Sequence, residues 1–328
     1  MMDNNRINYI DYTKGYGILL IVLAHVSAYF NACHFLTGYV ESYHVSIFFI
    51  ISGVLQSYKT NRSESWSVFL RKRFHSLILP YIWFSLFNSA LKLSVLFISH
   101  QLSSEVVYSE MIELFITGNG TVWFLLTLFG VEVFYRIVVG FCNELCLVVL
   151  AILCISYSFF IGETSNPVAI VLLRILAAFF LFVLGIIGGK YVLKRYALSI
   201  YLGFTLLLGG IICYCMLGSE YSFFSAIFKN WVGSLLTILL NSFGCIIIFK
   251  NIDREIAPWL YLGKNSLIIM LIHPTVLLFY TYPAQGSFNL LPVITQWMIA
   301  LSIFVTIILL EVPFIRLINR KLSFLIGK

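Results

Sequence analysis

The feature that most constrains this chain is the regular return of apolar runs long enough to cross a bilayer, parted by short segments whose charge is sorted by sign. A crossing helix needs about 20 predominantly apolar residues. Ten stretches reach or approach that length: 14–33, 41–58, 76–97, 121–140, 145–162, 168–189, 197–217, 230–249, 262–281 and 292–315. The longest connection, 98–120, is too short for a soluble domain. The sequence therefore predicts an all-α integral membrane protein of about ten transmembrane helices, forming a single domain over residues 1–328. Composition agrees, since 60% of the chain is hydrophobic and 11% is charged, with a mean hydropathy of +0.96. Soluble domains carry about 25% charged residues. Phe, Tyr and Trp make up 17%, as lipid-facing surface and interfacial belts require.

A net charge of +7 would suit nucleic acid, but its distribution speaks for membrane orientation instead. With the N-terminus inside, all but three (Lys92, Arg174 and Lys229) of the 21 Lys and Arg fall on inner segments, Arg6, Arg62 and Lys328 among them. The outer connections hold Glu41, Glu105, Glu110, Glu113, Glu163 and Glu220. The positive-inside rule then places both termini in the cytoplasm. Lys92 and Arg174 are expected to snorkel to a membrane edge. The seven cysteines are odd in number, form no CxxC pair and lie mostly in apolar runs, which argues against a metal site or a disulfide framework. Val26-Ser27-Ala28 imitates a signal-peptide cleavage site, but the weakly basic start and the histidine in the apolar run favour a retained first helix.

Four places carry polar groups that packing alone does not demand. In the first, Lys14 and His25 are eleven residues apart, so both project from one helix face, roughly 16 Å apart along the axis. Asp11 lies within about 40° of the same line. His25 would sit near mid-depth, where an ionisable side chain is costly and marks a functional site. The packing alternative is a histidine bonded to a neighbouring helix. The second place runs from Tyr43-His44 to Ser52-Gly53, and the third from Arg71-Lys72-Arg73-Phe74-His75-Ser76 to Pro80-Tyr81. The fourth is Gly263-Lys264-Asn265-Ser266 followed by His273-Pro274. Nine residues separate Lys264 from His273, roughly 13 Å of helix, which brings His273 to the depth of His25. Glu132, nine residues inward from Trp123, is expected at comparable depth from the other side. Two histidines and a carboxylate near one plane suggest a proton-handling site or a polar cavity.

These residues resemble the membrane acyltransferase-3 family, integral membrane O-acyltransferases of bacterial surface polysaccharides and their relatives. The resemblance rests on Asp11-x-x-Lys14-Gly15 with His25 eleven residues past the lysine, and on His44-x-x-x-Phe48-Phe49-x-x-Ser52-Gly53. The basic run into Pro80-Tyr81, Trp123-Phe124-Leu125, Gly263-Lys264-Asn265-Ser266 and His273-Pro274 extend it over nearly the whole chain. Lys14 stands where many relatives have Arg, which keeps the charge and loses the bidentate fork. Ser76 stands where a second arginine of the family's paired motif is expected. The chain looks like the short form of the family, without an appended extracytoplasmic esterase-type domain.

The resemblance implies an O-acetyltransferase of the bacterial plasma or inner membrane, with acetyl-CoA as donor and no permanently bound cofactor. The acceptor would be a carbohydrate hydroxyl of O-antigen, capsule, exopolysaccharide or a lipid-linked precursor. His25 matches the family's essential histidine. Imidazole suits the chemistry independently, because a sugar hydroxyl needs a base as it attacks a thioester and the leaving thiolate needs a proton. Asp11, Lys14, His273 and Glu132 are candidates for support or proton handling. Lys14, Arg71, Lys72 and Arg73 are candidates for the donor's phosphates, the last three equally readable as topology signals. His44, Ser52 and Trp123 are acceptor-side candidates, although Trp123 also reads as an interfacial anchor. Glu311 and Arg316 are expected to pair structurally, and Gly263-Lys264-Asn265-Ser266 lacks the spacing of a phosphate loop. The alternative is a proton-coupled transporter or flippase relaying through His25, His273 and Glu132, but no paired broken helices in two related halves support it.

Overall fold

The computed structural model describes residues 7–59, 64–118, 120–218, 220–281 and 287–327, so that Arg6, Arg62 and Lys328 lie outside the described residues. Its helices are α1 (Asn8–Ser27), α2 (His34–Glu41), α3 (Ser46–Tyr58), α4 (Trp66–Arg73), α5 (Leu79–Ile98), α6 (Ser104–Ile112) and α7 (Trp123–Val138). They continue as α8 (Glu144–Ile161), α9 (Pro167–Ile187), α10 (Ile200–Leu217), α11 (Trp231–Lys250), α12 (Ala257–Lys264), α13 (Ser266–Thr281) and α14 (Val293–Lys321). A short antiparallel hairpin, β1 (Glu220–Ser222) and β2 (Ile227–Lys229), joins α10 to α11, with Ser222 opposite Ile227. The architecture is helical, as expected, with this hairpin as the departure. π-helical turns at Phe74–Ile78, Glu113–Thr117 and Gly188–Leu193 adjoin α5, α6 and α9, a geometry often found beside functional sites.

Among the described residues, seven helical stretches are long and apolar enough to cross a membrane, or eight when the bent pair α12–α13 counts as one. The two remaining apolar runs lie on α1 and α7. The first half of α1 carries Asn8, Asp11 and Lys14, and α7 is only 16 residues long. Helix α1 has no need of a lipid-compatible surface, because α2, α3, α11, α12, α13 and α14 all pack around it. A helix buried on most sides answers to its protein neighbours rather than to lipid. The lipid-compatible surface lies elsewhere, in exposed side chains such as Leu153, Phe204, Met216 and Leu301 on α8, α10 and α14.

Hydrophobicity does not hold helices together in lipid, so close contacts fall on small residues. Helices α3 and α9 cross where Gly53 meets Gly185, and a Cβ on either would collide with a backbone carbonyl of the other helix. Helices α10 and α11 cross through Gly203 and Gly244, where an added Cβ would come within 3.0 Å and 2.9 Å of the opposing glycine's carbonyl oxygen. The Gly263-Lys264-Asn265-Ser266 segment is a joint, since α12 and α13 meet there at 76°. Asn265 donates to Tyr261 O (2.8 Å) and accepts from Asn319 of α14 (2.8 Å), which satisfies the backbone at the break. Gly263 lets the joint lie directly on the backbone of Asp11.

Candidate functional site

Two cavities open at opposite ends of the pair α3 and α7. The outer one, so called after the side that the charge count predicts, about 400 Å³, lies among His25 of α1, Glu41, His44 and Phe48 of the α2–α3 region, Thr121, Trp123 and Phe124 at the start of α7, and Ser222, Phe223 and Phe224 of the hairpin. The inner one, about 600 Å³, is lined by Lys59, Arg73, Arg136, Lys190 and Lys194, with Glu64, Glu132 and Glu144 interspersed. Phe48 and Phe124 face the outer cavity, while Gln56 and Glu132 face the inner one. Eight residues on either helix span the gap, about 12 Å.

The outer cavity is a histidine site. The rings of His25 and His273 meet edge to face with centroids 5.0 Å apart, so the depth inferred from sequence becomes a contact. His273 is wholly buried, and its Nδ1–H donates to Ile269 O at 2.9 Å. His44 uses the same device, donating from Nδ1 to Val40 O at 3.0 Å. A carbonyl can only accept, so both rings carry a proton on Nδ1, and in the neutral imidazole Nε2 is then the acceptor. His44 lines the cavity and His273 stands behind His25.

Pro274 contributes through what it lacks. Having no N–H, it releases the carbonyl of Met270 four residues earlier. Thr121 donates its hydroxyl to that carbonyl at 2.6 Å. The turn of α13 that carries His273 is thereby tied to the segment leading into α7. Trp123 is buried and stacks with Phe223 at 22° and 6.3 Å, so it is part of the cavity wall rather than a membrane-surface anchor.

The inner cavity gathers charge from α3, α4, α7, α8 and the end of α9. Arg73 pairs with Glu132 at 2.5 Å. Glu144 accepts from Lys190 and Tyr191, Arg136 donates to the backbone of Glu64, and Lys194 donates to Ser57 O at 2.5 Å. At the rim, Lys72 pairs with Glu64 at 2.5 Å and holds that carboxyl below its ordinary range.

The residues singled out from sequence therefore divide. His25, His273, His44 and Trp123 come together at the outer cavity, while Arg73 and Glu132 come together at the inner one. Glu132 does not join the histidines, because its carboxylate is turned to Arg73. Arg71 and Lys72 are exposed and line neither cavity. Asp11 is buried beneath the α12–α13 joint, with Lys14 one turn further along α1, and neither lines a cavity. Ser52 lies on the stretch of α3 between the cavities.

Two further expectations are corrected. Glu311 is wholly buried, neither of its oxygens has a hydrogen-bond partner among the described residues, and Arg316 is exposed. Five residues on a helix turn the two side chains to different faces, and no pair forms. Arg174 does not snorkel. It is buried beneath the outer cavity and bonded to its loops. The basic set Lys59, Arg136, Lys190 and Lys194 escaped sequence reading as a site, although each stands at the inner end of a helix. The lone arginine inside the apolar run 168–189 was the signal for Arg174.

Seven or eight helical stretches long and apolar enough to cross a bilayer mark a multi-pass membrane protein. Residues 7–316, nearly the whole chain, match the family model of the acyltransferase-3 type, described as an acyltransferase domain. The chain belongs to that family and is a membrane acyltransferase. No curated protein and no solved structure shows a significant match to it. The family match favours an acyltransferase over a transporter or flippase.

Proposed function

We propose that this protein moves an acetyl group from cytoplasmic acetyl-CoA to a carbohydrate hydroxyl of a surface polysaccharide or its lipid-linked precursor. The reading includes one ten-crossing domain in a bacterial inner membrane with both termini in the cytoplasm. The observation that carries it is the pair of unlike cavities at the two ends of α3 and α7, one lined by five cations against three carboxylates and the other by imidazoles and aromatic rings.

The nucleotide of CoA bears several negative charges and cannot enter hydrocarbon, which suits the five cations at the inner end. Its uncharged pantetheine arm would follow α3 and α7 over about 12 Å to bring the thioester toward His25. In the outer cavity the acceptor hydroxyl gives its proton to His25 as its oxygen attacks the thioester carbonyl. Collapse of the tetrahedral adduct breaks the C–S bond, and the thiolate recovers the proton from the imidazolium. His44 lines the same space with its Nδ1 held by Val40 O, which leaves Nε2 to orient the acceptor. The aromatic wall offers flat apolar surface to the C–H face of a sugar ring.

Arg73→Ala should raise the acetyl-CoA concentration needed for half-maximal rate roughly tenfold or more, as expected for loss of a charge-assisted contact. The acceptor requirement should not change. Lys72→Ala, which alters an exposed rim pair, should leave both nearly as they are. Steady-state kinetics of the three proteins in the same detergent checks this, and unchanged donor dependence in Arg73→Ala would leave Arg73 with orientation alone.

A further inference from the structure

Arg174 is a cation about two turns into α9, buried to 2% exposure, whose partners among the described residues include no carboxylate. A charge in such a place is costly unless its donors are satisfied. Its Nε donates to Phe223 O at 3.1 Å, one terminal nitrogen to Thr117 O at 2.6 Å, and the other to Phe224 O. The guanidinium also stands over the rings of Trp123 at 5.0 Å and Phe224 at 5.1 Å. One side chain thus holds two loops far apart in sequence. It holds them where they supply Trp123, Phe223 and Phe224 to the cavity of His25 and His44.

The segment leading into Trp123 is tied twice more by side chain to carbonyl, through Tyr81 to Leu114 O at 2.9 Å and Thr121 to Met270 O at 2.6 Å. The hairpin has a weaker hold, for its ladder is three residues long on each strand. Arg174 bonds to both, and with the stacking of Trp123 on Phe223 it joins the hairpin to that fixed segment. Lysine would keep the charge but not the planar fork that reaches three carbonyls while lying on two rings.

We propose that Arg174 is a positioning residue for the acceptor: it sets the spacing of the aromatic wall against which a pyranose ring lies, and so fixes the hydroxyl presented to His25. This rests on the acetyl-transfer reading above. Arg174 itself does not line the cavity.

The test compares wild type, Arg174→Lys and Arg174→Met in lipid nanodiscs. The probes are acetyl-CoA and the surface polysaccharide isolated from host cells lacking this gene. Both variants should bind acetyl-CoA with a Kd within about twofold of wild type, because the inner cavity is untouched. The polysaccharide concentration for half-maximal transfer should rise, or the maximal rate fall, by roughly tenfold to a hundredfold, the scale set by an ångström of misplacement. Amide exchange should quicken in peptides covering 113–124 and 220–230 and stay unchanged in α1 and α3. If Arg174→Met does not accumulate, Arg174→Lys alone decides. Wild-type acceptor dependence and unchanged exchange in Arg174→Lys would overturn the proposal. A wild type that transfers no acetyl group would strike at the acetyl-transfer reading, and quickened exchange in the variant would still establish the clamp.

Discussion

Replacing His25 with alanine is expected to lower acetyl transfer by about 10²–10⁴-fold, the usual loss when a general base is removed, while the protein inserts and accumulates normally. Normal accumulation follows from the surroundings. His273, which touches the His25 ring, already has its Nδ1–H satisfied by Ile269 O, so the truncation orphans no donor there. Alanine is also the residue best tolerated within a helix. Turnover per molecule, measured against protein quantified by immunoblot and gel filtration, is the check. Near-normal turnover would remove His25 from the chemistry. The base would then be His44, which lines the cavity, rather than the enclosed His273.

The second large effect concerns stability. Gly53→Val should cost more than about 3 kcal/mol, beyond the usual range for overpacking, and leave little folded protein. At this crossing the added carbon would collide with the Phe182 carbonyl and stand 3.0 Å from the Cα of Gly185. Backbone atoms have no alternative rotamer, so α3 and α9 would have to separate. Both helices line the inner cavity, which would open with them. Gly209→Ala is the control, because a Cβ there would stand 3.6 Å from Leu240 in ordinary contact. Size-exclusion profiles of fluorescent fusions report the result. A monodisperse peak of wild-type height for Gly53→Val would contradict the packing described.

What the sequence made legible was whatever depends on local rise and on composition. Apolar runs located the helices, and the eleven-residue spacing put His25 at a depth that the nine residues from Lys264 to His273 reproduced. The two depth estimates need only helix geometry and agree, while the contact between the rings comes from how α1 and α13 pack. Azimuth was not legible. Depth alone groups Glu132 with the histidines, yet the face it presents is decided by Arg73 across the α4–α7 gap. Arg174 was read as a snorkelling cation because its true partners are main-chain carbonyls of residues 117, 223 and 224, and a carbonyl leaves no mark in sequence. Lys190 and Lys194 read as loop charge until the fold brought them to the same cavity as Lys59 and Arg136.

The separation of the cavities makes the central claim one of sidedness: cations that suit the donor at one end, imidazoles that suit the acceptor at the other. The most direct measurement supplies labelled acetyl-CoA to the outside of sealed vesicles of known orientation. Inside-out vesicles should transfer label to the acceptor at once, whereas right-side-out vesicles should do so only after permeabilisation. Equal transfer by intact vesicles of both orientations would contradict the account.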